Sequence, residues 1–488
     1  MKKILVIILC ILVSALAFYF SDGLSGRLYF LQWIAPVPIL VLSFNSGAGK
    51  AFLVSFIAAF LGRLGWLGYL GSVMPPVPAL IVVTMLTVVF ALIVLLTRFV
   101  VIKVQAWYAV FAFPIFITAY ELLFSRFSYD GTAASIAYTQ ADFLPIIQIA
   151  SVSGLSGITF IVSFIASFLA LLFILRKNKK ELIPLLLTGI SLIGMVFIFG
   201  LIRLSSHTPG KSIPVSLIVL NEESHKFELK ENQYEIKHAE NYAAAIAKYA
   251  TPDVKLVVLP ERALNINREI DSAIFAILSN IAITRRITII TGYSNYKNDK
   301  PGNSALVIDD NGDVIADYDK IHLVKGLESQ FQPGNKTAVF SVGGIQSGVA
   351  ICKDLDYPGY ISQYGRDKVS FLCVPAWDFS VDGWLHSRMA IMRGVENGFS
   401  EIRTARTGRL TVSDPYGRVT SEASCESGIP VILNASIHPE RVDTLYSRFG
   451  DWLGWVTVMG AVLFVITAVF KRRSDKDAMN RVSTQGLI

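Results

Sequence analysis

Hydrophobic and polar positions divide this 488-residue chain into two textures. Long apolar runs broken by short polar intervals fill residues 1–204, and one more follows residue 449. Between them, over 212–440, apolar residues come in short runs separated by polar, helix-periodic or turn-forming segments. Eight stretches of the first texture come near the ~20 residues needed to cross a hydrocarbon core. They are roughly 3–21, 27–44, 49–72, 77–102, 106–124, 154–176, 182–203 and 450–470. Backbone groups find no water there, so helix is predicted even where the runs are β-branched. Arg63 falls inside the third run and has to face a polar interior or snorkel, while Pro36, Pro38 and Pro114 predict kinks or span ends.

The second texture alternates between strand and helix signals. IPVSLIVL (213–220), VKLVVL (254–259), ITIITGY (287–293), GVAIC (348–352) and SFLCVPAWD (370–378) read as short buried strands. Helical periodicity occupies 231–250, 268–284 and 384–398, and SALVIDDNGDVIADYD reads as a hairpin turning at Asn311-Gly312. Buried strands alternating with amphipathic helices predict a layered α/β domain with helices outside.

Composition sharpens the division. The chain is 53% hydrophobic and 17% charged, with mean hydropathy +0.53, against about 25% charged in an average soluble protein. Basic residues near the run ends set an orientation. Lys2, Lys3, Lys50, Arg98, Lys103, the Arg176–Lys180 cluster and Lys471–Arg473 all fall on one side if eight helices alternate. That side is predicted to be the cytoplasm. The organisation expected is a seven-helix transmembrane domain (1–204), an extracytoplasmic domain (212–440), an eighth helix (449–471) and a cytoplasmic tail (472–488), with both termini cytoplasmic. The first run also has a basic start and Ala15-Leu16-Ala17, so it reads either as a span or as a cleaved signal peptide. The net charge of +7 is then partly a topology signal. Nucleic acid is not indicated, since the chain has no zinc-type spacing, phosphate loop or aromatic-basic RNA signature.

Three residues of the polar block carry candidate chemistry. Glu261 (VVLPERALN), Lys320 (DYDKIHLVKGLE) and Cys352 (GVAICKDLDYP) each follow a strand-like run. A carboxylate, an ammonium and a thiol are the parts needed for acyl transfer through a thioester. The thiolate attacks a carbonyl, Glu261 is the base, and Lys320 with the backbone N–H of Lys353 faces the developing oxyanion. Of the other cysteines, Cys10 reads as packing in a span and Cys373 as a buried strand residue, while a Cys373–Cys425 pairing is left open. No metal or organic cofactor is expected.

The order Glu, Lys, Cys in these contexts resembles the nitrilase (carbon-nitrogen hydrolase) superfamily, which implies an αββα sandwich. The likeness extends to KIHLVKGLE, where Glu328 falls at that superfamily's additional active-site glutamate, and to PAWDFSVDGWLHSRMAIMRGVENGFSEIRTARTGRLTVSDPYGRV. With apolar runs on both sides, and AYTQADFLPIIQIASVSGLSGITFIV around the sixth, the whole chain resembles the bacterial apolipoprotein N-acyltransferase family. The fold implied is a polytopic α-helical membrane domain plus a nitrilase-like sandwich in the bacterial cytoplasmic (inner) membrane, its catalytic domain on the periplasmic side. The activity implied moves an acyl chain from a membrane phospholipid, through a Cys352 thioester, to the α-amino group of the diacylglyceryl-cysteine that begins a lipoprotein. Two departures from the family pattern stand out. Lys353 replaces the aromatic residue after the nucleophile, while Asp354 keeps the acid that follows, and LNEESHKF lacks an expected tryptophan. Lys353 either lowers the thiol pKa or marks another acceptor.

Other residues keep two readings. Trp377, Phe379 and Trp384 form either an amphipathic lid for lipid or acceptor, or domain core. Tyr138 and Gln140 either line a lipid access path or pack a loop. His322 reads as a packed loop histidine, and Arg388, Arg393 and Glu396 as a structural ion-pair face. The alternative function is a membrane-anchored amidase, or an acyltransferase acting on a different amine. A silent scaffold is disfavoured by the intact Glu/Lys/Cys set, and a transporter by the lack of paired charges across the spans.

Overall fold

The computed structural model describes residues 2–205, 210–220, 230–425 and 429–470. Most of the LNEESHKF stretch and the 472–488 tail lie outside the described residues. The chain divides into two compact units, one comprising 1–128, 134–203 and 451–488, the other 129–133 and 204–450.

The first unit is helical. Lys2–Phe20, Pro76–Val104, Trp107–Phe127, Ala150–Leu175, Lys179–Ser205 and Trp452–Phe470 are each long and apolar enough to cross a membrane. Ala48–Gly62 and Leu64–Val73 form a further pair bent by 53°. The bend falls at Arg63, whose guanidinium lies over the Phe90 ring at 5.6 Å. The apolar run at 27–44 differs from the single helix its hydropathy suggests. It contains two short helices, Leu31–Ile34 and Val37–Phe44, separated at Ala35-Pro36, where proline supplies no N–H to continue the ladder. Gly154 likewise breaks helical geometry inside Ala150–Leu175 with φ +65°.

The second unit is built on two sheets. The first has the order β13-β1-β2-β4-β5-β6, with β3 paired to β4. Its strands are β1 (Ile213–Val219), β2 (Leu256–Val258), β3 (Leu264–Asn267), β4 (Thr288–Tyr296), β5 (Gly302–Ile308), β6 (Val314–Asp319) and β13 (Val431–Ile437). The second sheet has the order β12-β11-β10-β9-β8-β7. It uses β7 (Ala338–Val342), β8 (Ile345–Val349), β9 (Phe371–Ala376), β10 (Ser400–Ala405), β11 (Gly408–Ser413) and β12 (Val419–Cys425). The inner faces share one core, with Val215, Leu217, Leu256, Val258 and Val307 from one sheet and Val349, Phe371, Cys373, Ile402 and Val412 from the other. Side chains from the two pleated inner faces fill this shared core.

Helices cover both outer faces. Asn232–Tyr249 presents Ala239, Tyr242, Ala245 and Ile246 on one stripe, and Asp271–Arg285 presents Ile274, Leu278 and Ala282. Both stripes bury against Ile218, Val257, Ile289 and Leu306 on the reverse of the first sheet. Pro358–Arg366 contributes Tyr360, Ile361 and Tyr364, and Gly383–Asn397 contributes Ala390, to the core of the second sheet. The result is an αββα sandwich. Parallel pairing of β1, β2 and β4, and of β8, β9 and β10, brings the C-terminal ends of several strands to one edge. Glu261 and Cys352 follow β2 and β8 at that edge.

Candidate active site

Glu261 lies three residues beyond β2, and its backbone N–H donates to the Ala376 carbonyl at the end of β9 (3.3 Å). Its side chain is buried. Lys320, the residue after β6, places Nζ 2.7 Å from Glu261 Oε1 and 2.9 Å from Glu328 Oε2. Glu328 also accepts the Val324 backbone N–H at 2.7 Å, which fixes the loop that carries it. Asn303, on β5, bridges the two carboxylates, Nδ2 donating to Glu261 Oε1 (2.6 Å) and Glu328 Oε1 (2.5 Å). Sequence reasoning missed it. The available signal was an amide at the start of a strand that runs on into a buried apolar stretch, where it needs a partner to be tolerated. Glu261 Oε2 is buried with no hydrogen-bond partner among the described residues. One oxygen of this carboxylate is thus saturated and the other is open.

Cys352 sits at a strained turn. β8 ends at Val349, the Ala350 N–H continues the pairing to the Cys373 carbonyl (3.1 Å), and Cys352 then opens a 3₁₀ turn, Cys352–Asp356. Its φ is +41°, a left-handed conformation that costs a non-glycine residue roughly 1–3 kcal/mol and recurs at functional sites. Sγ lies 3.7 Å from the Trp377 carbonyl oxygen. Asp354 holds the turn. Fully buried, it accepts hydrogen bonds from Tyr318 Oη (2.6 Å), the Ile351 N–H (3.1 Å) and the His322 N–H (2.8 Å). It therefore ties the Cys352 turn to the segment just after Lys320.

Lys353 points elsewhere. Its ammonium lies 3.3 Å from Asp356 and 3.7 Å from Asp130, and these partners raise its pKa although burial alone would lower it. Asp130 belongs to the short segment 129–133, in which Thr132 donates both its N–H and Oγ1 to the Asp356 carbonyl (3.0 Å each). Gly131, at φ +52°, packs so closely that a Cβ would meet that carbonyl at 2.4 Å. Lys353 thus anchors the far end of the nucleophile turn, and the thiol feels Glu261, Lys320, Asp378 and Arg403 instead. Of the two readings of Lys353, this geometry gives no support to the one in which it lowers the thiol pKa. Lys353→Ala is expected to cost about 1 kcal/mol of stability and to leave the pH dependence of Cys352 alkylation unchanged. A shift of that profile by a unit or more would restore Lys353 to the thiol's electrostatics.

Burial dominates the site's electrostatics. It pushes the Cys352 thiol well above its ordinary range, with Glu261 adding to the rise and Lys320 opposing it. Burial also raises the Glu261 carboxyl, partly offset by Lys320 and reinforced by Glu328. Burial would lower Lys320, but the flanking carboxylates hold it well above its usual value and keep it charged. Glu328 is lowered: burial acts to raise it, but Lys320 and the Val324 N–H outweigh that. The resting site therefore pairs a neutral thiol with a carboxylate of raised basicity. Among the described residues, no group of three His, Cys, Asp or Glu side chains is placed to hold a metal ion.

The remaining candidates separate. Trp377 packs between the Arg262 and Arg406 guanidiniums, 5.7 and 4.6 Å from its ring. Phe379 is exposed, as is Val381 beside it. Trp384 is buried, under Arg388 at 5.6 Å. Its helix is buried on almost every face, so it is core, and the exposed apolar loop reduces to Phe379 and Val381. Tyr138 and Gln140 are buried within the helical unit, where Gln140 accepts from Trp33 Nε1 (2.8 Å) and donates to the Tyr29 carbonyl (3.1 Å). That leaves Gln140 a packing role in this conformation. His322 stacks on Tyr357 at 3.8 Å between centroids. Arg393 pairs with Glu396 at 3.1 Å, but Arg388 pairs across to Glu422 at 2.5 Å. All four cysteines are free thiols.

Two family models match this architecture. The carbon-nitrogen hydrolase model covers residues 228–445, and the apolipoprotein N-acyltransferase N-terminal domain model covers 12–168. The apolipoprotein N-acyltransferase of Geobacter metallireducens is 24% identical over 376 residues, covering 70% of each chain. That of Bradyrhizobium diazoefficiens is 28% identical over 382 residues, covering 68% of each. Both parts of the chain are thus similar to apolipoprotein N-acyltransferases. It is an acyltransferase and a multi-pass membrane protein. A solved amidase from Nesterenkonia sp. aligns with TM-score 0.39 and 20% identity, over 49% of this chain and 95% of that one. Glu261, Lys320, Glu328 and Cys352 all fall inside the span of the carbon-nitrogen hydrolase match.

Proposed function

We propose that the protein takes an acyl chain from a membrane phospholipid onto Cys352 and passes it to the α-amino group of the diacylglyceryl-cysteine at a lipoprotein N-terminus. The observation that carries the mechanism is the open, buried Oε2 of Glu261, beside a carboxylate oxygen already saturated by Lys320 and Asn303. Glu261 takes the Sγ proton as sulfur attacks the ester carbonyl, so no resting thiolate is needed. Negative charge moves onto the carbonyl oxygen, where the Lys320 ammonium stabilises it. Collapse breaks the ester C–O bond, and the departing glycerol oxygen recovers the proton from Glu261. A thioester and a lysophospholipid remain. In the second half, the acceptor amine attacks the thioester carbon, Glu261 takes a proton from nitrogen, and sulfur leaves and is reprotonated. An amide forms and the resting site returns.

A membrane setting has a physical reason. Lifting a chain of about 16 carbons into water costs on the order of 12 kcal/mol, at about 0.8 per CH₂. A site that meets the chain at the bilayer surface avoids that cost, and keeping water from the thioester prevents wasteful hydrolysis. This reading places the catalytic unit on the periplasmic side, with both chain termini in the cytoplasm, as the distribution of basic residues supports.

The test is to incubate the purified full-length protein with phospholipid labelled in its acyl chain, without acceptor, and to locate the label by intact mass and peptide mapping. The expected result is a hydroxylamine-sensitive adduct on Cys352, absent in Cys352→Ala. A folded protein that gains no adduct but turns over a simple amide would replace the lipid donor with amidase chemistry.

A further inference from the structure

We propose that a basic pocket on the sandwich unit, separate from the Cys352 site, binds the phosphate-bearing headgroup of an anionic membrane lipid. The cavity, of about 430 Å³, is lined by Arg366, Lys368, Arg441 and Arg448 with Asp443 and Ser447. Four cationic side chains face one carboxylate there, and none of them belongs to the site around Cys352.

The one acid is already engaged. Asp443 accepts from Arg441 at 3.1 Å and lies 3.6 Å from Arg448, while Arg441 also donates to the Gly365 carbonyl at 3.0 Å. Arg366 makes only a hydrogen bond to Ser362 Oγ (2.9 Å), and Lys368 forms no ion pair among the described residues. Asp367, between them in sequence, is exposed and does not line the cavity. The pocket therefore carries surplus positive charge with donors left to give. Lys368 also holds φ +60°, a left-handed position after a helix where glycine is the usual occupant. A lysine is kept there at a conformational cost, which directs attention to its charge.

Chain geometry sets the occupant. Arg448 belongs to the short helix Leu445–Phe449, and the apolar helix Trp452–Phe470 begins four residues later. Four residues span at most about 14 Å. Leu445 and Phe449 are exposed on that short helix, and Trp452 and Trp455 are exposed at the start of the long one. Tryptophans at the end of an apolar helix mark the water–lipid boundary. Chain connectivity alone therefore keeps Arg448 within that reach of the start of an apolar helix, and at a lipid surface a phosphate diester bearing net negative charge is the abundant anion.

The experiment uses the full-length protein in detergent micelles with an equimolar mixture of phosphatidylglycerol and phosphatidylethanolamine, read by native mass spectrometry. Wild type is expected to retain phosphatidylglycerol preferentially. Arg366→Ala and Lys368→Ala should each weaken that preference about fivefold, from the contribution of one basic side chain near an anionic surface, and the double variant should abolish it. Asp443→Asn should strengthen it. Lys368→Arg should retain it, which separates charge from folding. Equal retention of the two lipids by wild type, or a preference that survives in the double variant, overturns the proposal. Displacement of phosphatidylglycerol by millimolar inorganic phosphate would make the pocket a soluble-anion site and also overturn the lipid assignment. Failure here leaves the Cys352 chemistry untouched, because the adduct experiment does not involve these residues.

Discussion

Glu261→Gln is expected to lower kcat/KM for acyl transfer by about 100- to 10,000-fold, the usual worth of a positioned general base, while the protein stays folded. The glutamine carbonyl can occupy the position of Oε1 and still accept from Lys320 Nζ and Asn303 Nδ2. The substitution leaves one ammonium facing one carboxylate, Glu328, so the buried charges balance. What disappears is the open oxygen that receives a proton. The pH profile separates this from a packing defect. In the wild type the base must be ionised, and burial raises its pKa. Activity should therefore fall as pH drops through a midpoint above the ordinary glutamate value of about 4.3. In Glu261→Gln that acid limb should vanish and the residual rate should be flat there. A variant that keeps the limb would place the titrating group elsewhere, and a loss below tenfold would remove Glu261 from proton transfer.

The parts of this site that the sequence exposes are those that end apolar runs. Glu261, Lys320 and Cys352 each follow a strand; β2 and β9, buried on both faces, read as short continuous hydrophobic stretches, whereas β8 is apolar and buried only towards the end that leads to Cys352. The hairpin at Asn311-Gly312 is visible for the same local reason, and Gly312 takes φ +84° there. β10 is hidden because it buries Glu401 and Arg403 at its centre, so its pattern lacks the apolar signal although every residue is buried. β12 and β13 are partly exposed and carry mixed residues that short-range periodicity does not distinguish from loop. Trp384 misleads in the opposite direction. Its helix shows a helical period in sequence, but layers on both sides bury it almost completely, so no free face remains for a lid. Asn303 and the Lys353–Asp130 pair are invisible locally because their partners lie 25 to 223 positions away in the chain.

Lys320→Met tests the other half of the charge arrangement and should act on stability and rate together. The methionine fills similar volume but leaves Glu261 and Glu328 facing each other in a buried site. Breaking a buried ion pair by removing one partner costs about 3–5 kcal/mol, so urea unfolding should show a loss of that size. Acyl transfer per folded molecule should fall by a further 100- to 1000-fold if Lys320 stabilises the oxyanion. The two losses can be parted. Adding Glu328→Gln removes one of the two stranded carboxylates, while Asn303 can still donate to the amide oxygen at that position. Lys320→Met/Glu328→Gln should thus regain most of the lost stability and little of the lost rate. Recovery of both would reduce Lys320 to a counter-ion for the glutamates. Recovery of stability alone fixes its charge at the place where the carbonyl oxygen becomes negative. The acid limb supplies an independent readout, because losing the ammonium removes an influence that lowers the Glu261 pKa. In the single variant the fall in residual activity should therefore begin at a higher pH than in the wild type, and Glu328→Gln should bring it back down by relieving the repulsion between the two carboxylates.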